Sequence, residues 1–212
     1  MTDFLIIKFG GSSVSSSDIK TWISAIEQSS RPVVLVPGGG PFADTVKAFQ
    51  ARMGYDDEAA HHMAILAMEQ FGRALVSLGE RLVPAATEDA IVKAVEAGQI
   101  PVWMPAKLTL RAGEIGADWS VTSDSLAAWL ASRFPGSPLC LIKQLDVPEG
   151  RTLDALSGAG VVDEGFTHLL HPATRVYVAG PSDLARCGRR LADGGVIGRE
   201  IARDHPMLDA AQ

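Results

Sequence analysis

Ile6-Ile7-Lys8-Phe9-Gly10-Gly11-Ser12 joins an apolar run to a lysine, two glycines and a hydroxyl, residue types that together can close on an anion. A parallel strand ends with backbone N–H groups free, and glycines let those groups reach a phosphate with no Cβ in the way. Lys8 would add a mobile point charge for a phosphoryl group. Alone, a strand followed by Gly-Gly-Ser reads more commonly as a tight βα turn. The pattern recurs, however, where Val33-Val34-Leu35-Val36 runs into Pro37-Gly38-Gly39-Gly40-Pro41. Three glycines there would present amides at a helix N-terminus, whose dipole favours an anion, and a plain glycine-rich turn is an equal alternative. Two such loops at the carboxyl ends of successive parallel strands face one rim of a sheet, where open α/β folds bind ligands. The pair points to a ligand with more than one phosphate.

Other chemically able residues follow. Thr122-Ser123-Asp124-Ser125 opens an apolar helix with capping types, and a first-turn carboxylate is favoured by ~0.3 to 1 kcal/mol through the dipole alone. Asp124 at the ligand rim could equally hold a lysine in place. Lys143, after the run Leu139 to Ile142, repeats the placement of Lys8, the alternative being a solvent-facing lysine at a strand exit. The stretch from Ala106 to Val121 has no clean period and carries Lys107, Arg111, Asp118 and Trp119, which makes it a candidate substrate loop. Trp103 and Trp119 fit a core equally well. His61 and His62 open a long helical stretch from about 57 to 78, where a solvated face is preferred to a border of the acceptor site; Glu69 and Arg73, one turn apart, can pair.

The elements that must position these groups read as α/β. With 212 residues, 47% of them hydrophobic, the chain suits one well-buried domain spanning 1–212. The strand at 33–36 is a continuous β-branched run of the kind buried on both faces of a parallel sheet, and Ile19, Trp22, Ile23 and Ile26, capped by Asp18, form the helix between it and the first strand. A stripe of Phe42, Val46, Phe49 and Met53, stopped by Gly54, and another of Met63, Leu66, Ala67, Phe71, Ala74 and Leu75 read as buried helix faces. Further strands are expected at 100–104, 139–142 and 175–179, helices from Thr87 to Gly98 and from 183 to 191, and an edge strand after Gly198. The net charge of −6 excludes long-range attraction to nucleic acid or an anionic membrane, so any anion site is a local concentration of positive groups. Two cysteines without metal-type spacing fit buried thiols in a reducing cytosol, and no apolar run approaches a membrane span. A soluble cytoplasmic protein is expected.

Taken in order, Lys8-Phe9-Gly10-Gly11-Ser12, Val36-Pro37-Gly38-Gly39-Gly40-Pro41, Ser123-Asp124-Ser125-Leu126-Ala127-Ala128 and Leu141-Ile142-Lys143-Gln144-Leu145-Asp146-Val147 make the chain resemble the amino acid kinase family. The resemblance covers most of the chain. It implies a three-layer α/β/α sandwich with an open, mainly parallel central sheet, an acceptor-binding half of about 1–135 and a nucleotide-binding half of about 136–212. His61-His62-Met63-Ala64, Met68-Glu69-Gln70-Phe71-Gly72 and Asp118-Trp119-Ser120-Val121 look most like the branch that phosphorylates an aminomethylfuranyl-methyl phosphate in methanofuran synthesis, in methanogens and methylotrophic bacteria.

The resemblance also implies roles. Gly10, Gly11 and Ser12 would bind ATP phosphates, with Asp146 in the nucleotide segment and Lys8 neutralising the transferring group. Gly38, Gly39, Gly40 and Ser123 would cradle the acceptor, and Asp124 would orient the lysines. The family's late lysine in a Gly-Gly-Met region is missing, and Lys143 stands in for it. Mg²⁺ would ride mainly on ATP phosphates and water, with no protein ligand assigned. Asp118 could pair with an acceptor ammonium while Trp103 or Trp119 covers the ring. A homo-oligomer is expected, with the 57 to 78 helix as a subunit face. Alternatives are a kinase of an amino acid, isopentenyl phosphate or a nucleoside monophosphate, or a non-catalytic nucleotide or oxyanion binder of the same fold.

Overall fold

The structure, a computed structural model, describes residues 4–11 and 18–203. Ser12 and the last nine residues, 204–212, therefore lie outside the described residues. The strands are β1 Leu5–Phe9, β2 Val33–Pro37, β3 Leu82–Ala85, β4 Ile100–Trp103, β5 Leu139–Ile142, β6 Val176–Ala179 and β7 Arg199–Ile201. They form one sheet in the order β3-β4-β2-β1-β5-β6-β7, parallel except for the antiparallel edge strand β7. Every residue of β1, β2, β4, β5 and β6 is buried, which is why these strands read as apolar runs rather than as alternations.

Helices cover both faces. On one, α1 Ile19–Glu27 and α9 Leu184–Ala192 pack Trp22, Ile23, Ile26, Cys187 and Leu191 against Leu5, Ile7 and Phe9 of β1. On the other, α4 Glu88–Glu96, α6 Ser123–Ser132, α7 Leu153–Gly158 and α8 Phe166–Leu169 cover Ile6, Val34, Leu139 and Val178. The period of two along β1 thus sends Ile6 and Lys8 to the α6 side. This is the three-layer α/β/α sandwich with an open, mainly parallel sheet. Cys140 and Cys187 are both buried, free thiols.

Several local expectations need correction. Asp18 precedes α1 without making a side-chain cap hydrogen bond, whereas Thr87 does cap α4, accepting from Ala90 N at 3.1 Å. β3 and α7 had no clear signal, being short elements, β3 with Pro84 inside it. Helix α2, Gly40–Met53, buries no residue, and Phe42, Phe49 and Met53 are 42%, 43% and 72% exposed. It turns the Ala43, Lys47 and Gln50 side toward the sheet rim, and leaves Phe42, Phe49 and Met53 of the neighbouring apolar stripe exposed. In α3, Asp57–Val76, the buried set is Ala60, Ile65, Ala67, Met68, Phe71, Gly72 and Leu75 together with His61, while Leu66 and Ala74 are exposed. Glu69 of α3 accepts from Ala106 N at 3.0 Å and so ties α3 to α5, Ala106–Thr109. Trp103 is a core residue, fully buried and stacked on Trp129 with ring centroids 6.1 Å apart.

Candidate active site

β1 and β5 lie side by side, with Lys8 opposite Leu141. The chain leaves β1 through α1 toward β2, and leaves β5 through α7 and α8 toward β6, in opposite directions along the sheet. Diverging connections open a crevice at the strands' carboxyl ends. Lys8 enters it from β1, Lys143 from the residue after β5, and Asp124 from the first turn of α6. Lys8 Nζ lies 2.8 Å from Asp124 Oδ1, an ion pair rather than an aligned hydrogen bond. Lys143 Nζ donates to Asp124 Oδ2 at 2.5 Å. Lys8 and Asp124 are each only 5% exposed.

One carboxylate thus serves two ammonium groups, Lys8 buried and Lys143 half-buried, and these three side chains together carry a surplus positive charge. Burial alone would push the Asp124 carboxyl up, but the charges of Lys8 and then Lys143 outweigh it, and the group sits below its ordinary value. Lys143 is held below the usual lysine value, by burial first and by the charge of Lys8 second, with Asp124 and Asp163 opposing. A buried cation without its own counter-ion is costly, so the crevice is built to receive an anion.

The two glycine loops meet beside this cluster. A Cβ on Gly11 would lie 2.1 Å from Gly40 N, and one on Gly38 would lie 2.4 Å from Gly11 N, so the loops touch backbone to backbone. Gly38 N donates to Phe9 O at 2.8 Å, locking the second loop to the first. Gly40 adopts φ +56°, a conformation that favours glycine, as the chain enters α2. Buried Gly10 sits at the exit of β1. Gly11, Gly39 and Gly40, with Lys8 and Ser123, line a cleft of 310 Å³ whose other walls are Asp44 and Lys47 of α2, His61, Ile65 and Met68 of α3, and Trp119. His61 therefore borders the cleft, contrary to a solvated face. Burial first and His62 second hold its imidazole below its usual value, with Asp118 opposing.

Trp119 donates its indole N–H to Gln50 Oε1 at 2.6 Å, and Lys47 Nζ stands 5.3 Å from its ring centroid. This clasps the 110–121 loop to α2. A second cleft, of 690 Å³, opens on the far side of Asp124 and is lined by Lys143, Asp163 and the opposite face of Trp119. Asp118 does not line the first cleft. Its Oδ1 accepts from Ser120 N at 2.7 Å and Ser120 Oγ at 2.5 Å, which keeps its carboxyl below the ordinary range. Asp146 accepts from Ser182 N at 3.1 Å and Ser182 Oγ at 2.8 Å, at the edge of another cleft that contains Arg186 and Arg190.

Asp44 and Lys47 of the cleft wall were missed from sequence, and so was Asp163. Asp163 accepts through Oδ2 from Thr122 N at 3.0 Å, Thr122 Oγ1 at 2.6 Å and Ser125 N at 3.1 Å, and through Oδ1 from the Ser125 hydroxyl. The only signal was a pair of hydroxyl residues around a helix start whose acceptor was not local. Among the described residues no group of three or more His, Cys, Asp or Glu side chains lies together to hold a metal ion, and no helix is long and apolar enough to cross a membrane.

A parallel sheet with two apposed glycine loops and a lysine–aspartate–lysine cluster at one rim defines a phosphate-handling enzyme, a phosphotransferase. The chain belongs to the amino acid kinase family, whose model matches residues 3–147. As a kinase of that family it takes ATP as co-substrate and a small molecule as acceptor. It is 25% identical over 179 residues to the (5-(aminomethyl)furan-3-yl)methyl phosphate kinase of Methanocaldococcus jannaschii, covering 78% of this chain and 82% of that one. The uridylate kinase from Archaeoglobus fulgidus superposes with a TM-score of 0.67 at 17% identity, over 93% of this chain and 99% of that chain. An isopentenyl phosphate kinase does so with a TM-score of 0.55 at 17% identity, over 93% and 100%. These two likenesses concern the fold.

Proposed function

We propose that the chain transfers the γ-phosphoryl group of ATP to the phosphate of a small phosphate monoester, and that this acceptor is an aminomethylfuranyl-methyl phosphate, converted to its diphosphate in methanofuran-type cofactor synthesis. The observation that carries the reading is the surplus positive charge buried between Lys8, Asp124 and Lys143. The 25% identical relative supports the choice of acceptor.

An acceptor phosphate oxygen is already anionic, so no protein nucleophile or base is needed. It attacks the γ-phosphorus, the bond to the β–γ bridging oxygen breaks, and ADP leaves with that electron pair. The obstacle is repulsion between two charged groups, and the protein's task is alignment and neutralisation. Gly39, Gly40 and Ser123 hold the acceptor phosphate in the smaller cleft, while Gly38, whose N–H is taken by Phe9 O, fixes the loop that carries them. Gly10 and Gly11 take the ATP phosphates, with Ser12 adjoining and Asp146 on the nucleotide side. Lys8 and Lys143 neutralise the group in flight, and Asp124 sets their spacing. Magnesium would enter on the nucleotide, and no step is assigned to a protein-bound ion. Trp119 covers the acceptor ring. Asp44, in the cleft wall, is better placed for an acceptor ammonium than Asp118, whose carboxylate is taken up by Ser120.

In this reading the sheet shared by β1–β7 makes 1–212 one domain, with an acceptor half of about 1–135 and a nucleotide half beyond it, in a cytoplasmic enzyme. Exposed Phe42, Phe49, Met53 and Leu66 support a homo-oligomer, which sedimentation as a monomer would exclude. Turnover decides the activity. With ATP and a panel containing the aminomethylfuranyl-methyl phosphate, isopentenyl phosphate, a nucleoside monophosphate and an acidic amino acid, the furan phosphate should give the highest kcat/KM, and Lys8→Ala should abolish transfer. ATP binding without transfer to any acceptor, unaffected by Lys8→Ala, overturns the reading in favour of a binding protein.

A further inference from the structure

We propose that Asp163 is the positioning residue of the lysine–aspartate–lysine cluster: by capping α6 from the nucleotide half of the chain, it fixes where Asp124 meets Lys8 and Lys143. This rests on the phosphotransfer reading above. The first N–H groups of a helix lack intrahelical partners, and a local Ser, Thr or Asp usually meets one of them. Thr122, at the N-cap of α6, makes no such side-chain bond. One carboxylate from 38 to 41 residues away accepts two backbone N–H groups and two hydroxyls instead. A cap needs one or two of these contacts. The four come from Thr122 and Ser125, which bracket Asp124 in the chain, so they restrain the backbone on both sides of it.

The carboxylate itself is firmly placed. Gly165 N donates to Ser120 O at 2.8 Å, and Phe166 N donates to Asp163 O at 3.2 Å. A Cβ on Gly165 would lie 2.9 Å from Ser120 O and 3.0 Å from Ser125 Oγ, so this segment lies backbone against backbone on the start of α6. Asp124 has a short side chain and must meet two lysines that arrive from different strands. A displacement of its backbone on the order of 1 Å would loosen one of them, and misplacement of that size can cost about 100-fold in rate. Asp163 also shares a cleft with Lys143 and contributes negative charge to it. The charged groups around Lys143 are Lys8 from β1, Asp124 from α6 and Asp163 from the loop between α7 and α8, with Glu164 in the wall of the same cleft.

The test compares Asp163→Asn, Asp163→Ala and, as a neighbouring charge without capping bonds, Glu164→Gln. The readouts are kcat, KM for ATP and acceptor, the alkaline limb of kcat, amide exchange at Thr122 and Ser125, and the ¹⁵Nζ titration of Lys143. Asp163→Ala should lower kcat by about 100-fold with little change in either KM. Asp163→Asn, which keeps one acceptor oxygen, should lose less. In both, the alkaline limb and the Lys143 titration should move to lower pH, and amide exchange should quicken; Glu164→Gln should leave exchange at Thr122 and Ser125 as it is. Wild-type kcat in both Asp163 variants overturns the proposal. So does a loss of kcat that follows thermal stability while the limb and the titration stay in place, which is the behaviour of an ordinary helix cap. If Asp163→Ala fails to fold, Asp163→Asn carries the comparison. If the wild-type protein transfers to no phosphate monoester, the functional reading fails, while exchange and titration still decide Asp163: both moving supports its role, and neither moving overturns it.

Discussion

Replacing Asp124 by Asn removes one charge from between the buried Lys8 and the half-buried Lys143 ammonium groups at almost constant volume. The native carboxylate holds Lys8 at 2.8 Å and Lys143 at 2.5 Å. At an effective dielectric of about 20, a unit pair roughly 4 Å apart attracts by about 4 kcal/mol, and two ammonium groups roughly 5 Å apart repel by about 3 kcal/mol. The variant therefore cannot keep both lysines charged and in place. Lys143, already held low by burial and by Lys8, is the one to lose its proton. That proton loss keeps the destabilisation below the ~3–5 kcal/mol expected for a stranded buried charge. Catalysis is not spared, because one aligned cation goes and the other drifts. Loss of one preorganised donor costs on the order of 10² to 10³ in kcat, and Asp124→Asn should fall in that range. The assay is coupled ADP release at saturating substrates between about pH 6 and 10, where the alkaline limb of the variant should lie below that of the parent. Wild-type kcat across that range would refute the charge argument, whatever happened to stability.

Gly11→Ala places a Cβ 2.1 Å from Gly40 N, so the loops must separate; a loss of about 1–3 kcal/mol by urea unfolding and a larger loss in kcat than in KM are expected. Trp119→Ala removes the clasp to Gln50 and Lys47, and should raise KM for the acceptor about tenfold while leaving KM for ATP unchanged. The Asp124 carboxyl lies below its ordinary value in the fold, so its stabilisation is complete above the usual carboxyl range and is lost as pH falls through the lower folded-state value. Asp124→Asn should flatten the acid limb of the denaturant midpoint between about pH 5 and 2, and equal slopes in the two proteins would contradict this.

What could be read from sequence follows the physics of each element. β1, β2, β5 and β6 are buried on both faces, so they show as apolar runs, broken in β1 only by Lys8. Edge strand β3 has four residues and a proline, too little pattern to see. The apolar stripe of α2 had the right period, but period does not say which side meets protein, and the cleft claimed the Lys47 side. Lys8, Asp124 and Lys143 share a rim because each begins or ends an element at the same sheet edge, a relation that linear order reveals. Asp163 comes from an irregular loop and meets α6 only after the chain folds. The glycines were legible as turns; that Gly11 and Gly38 also let two loops touch was not.

That backbone meeting has a consequence for how substrates could change over evolutionary time. Because Gly11 and Gly40 meet as bare backbones, the separation of the two glycine loops is gauged by peptide atoms, and no side chain sets it. The residues that shape the cleft proposed for the acceptor, Asp44, Lys47, His61 and Trp119, stand on α2, α3 and a separate loop. Exchanging them would alter which molecule is held without altering how far its phosphate stands from the donor. The reacting distance and the choice of substrate are thus written in different parts of the chain, and one can drift while the other stays in place.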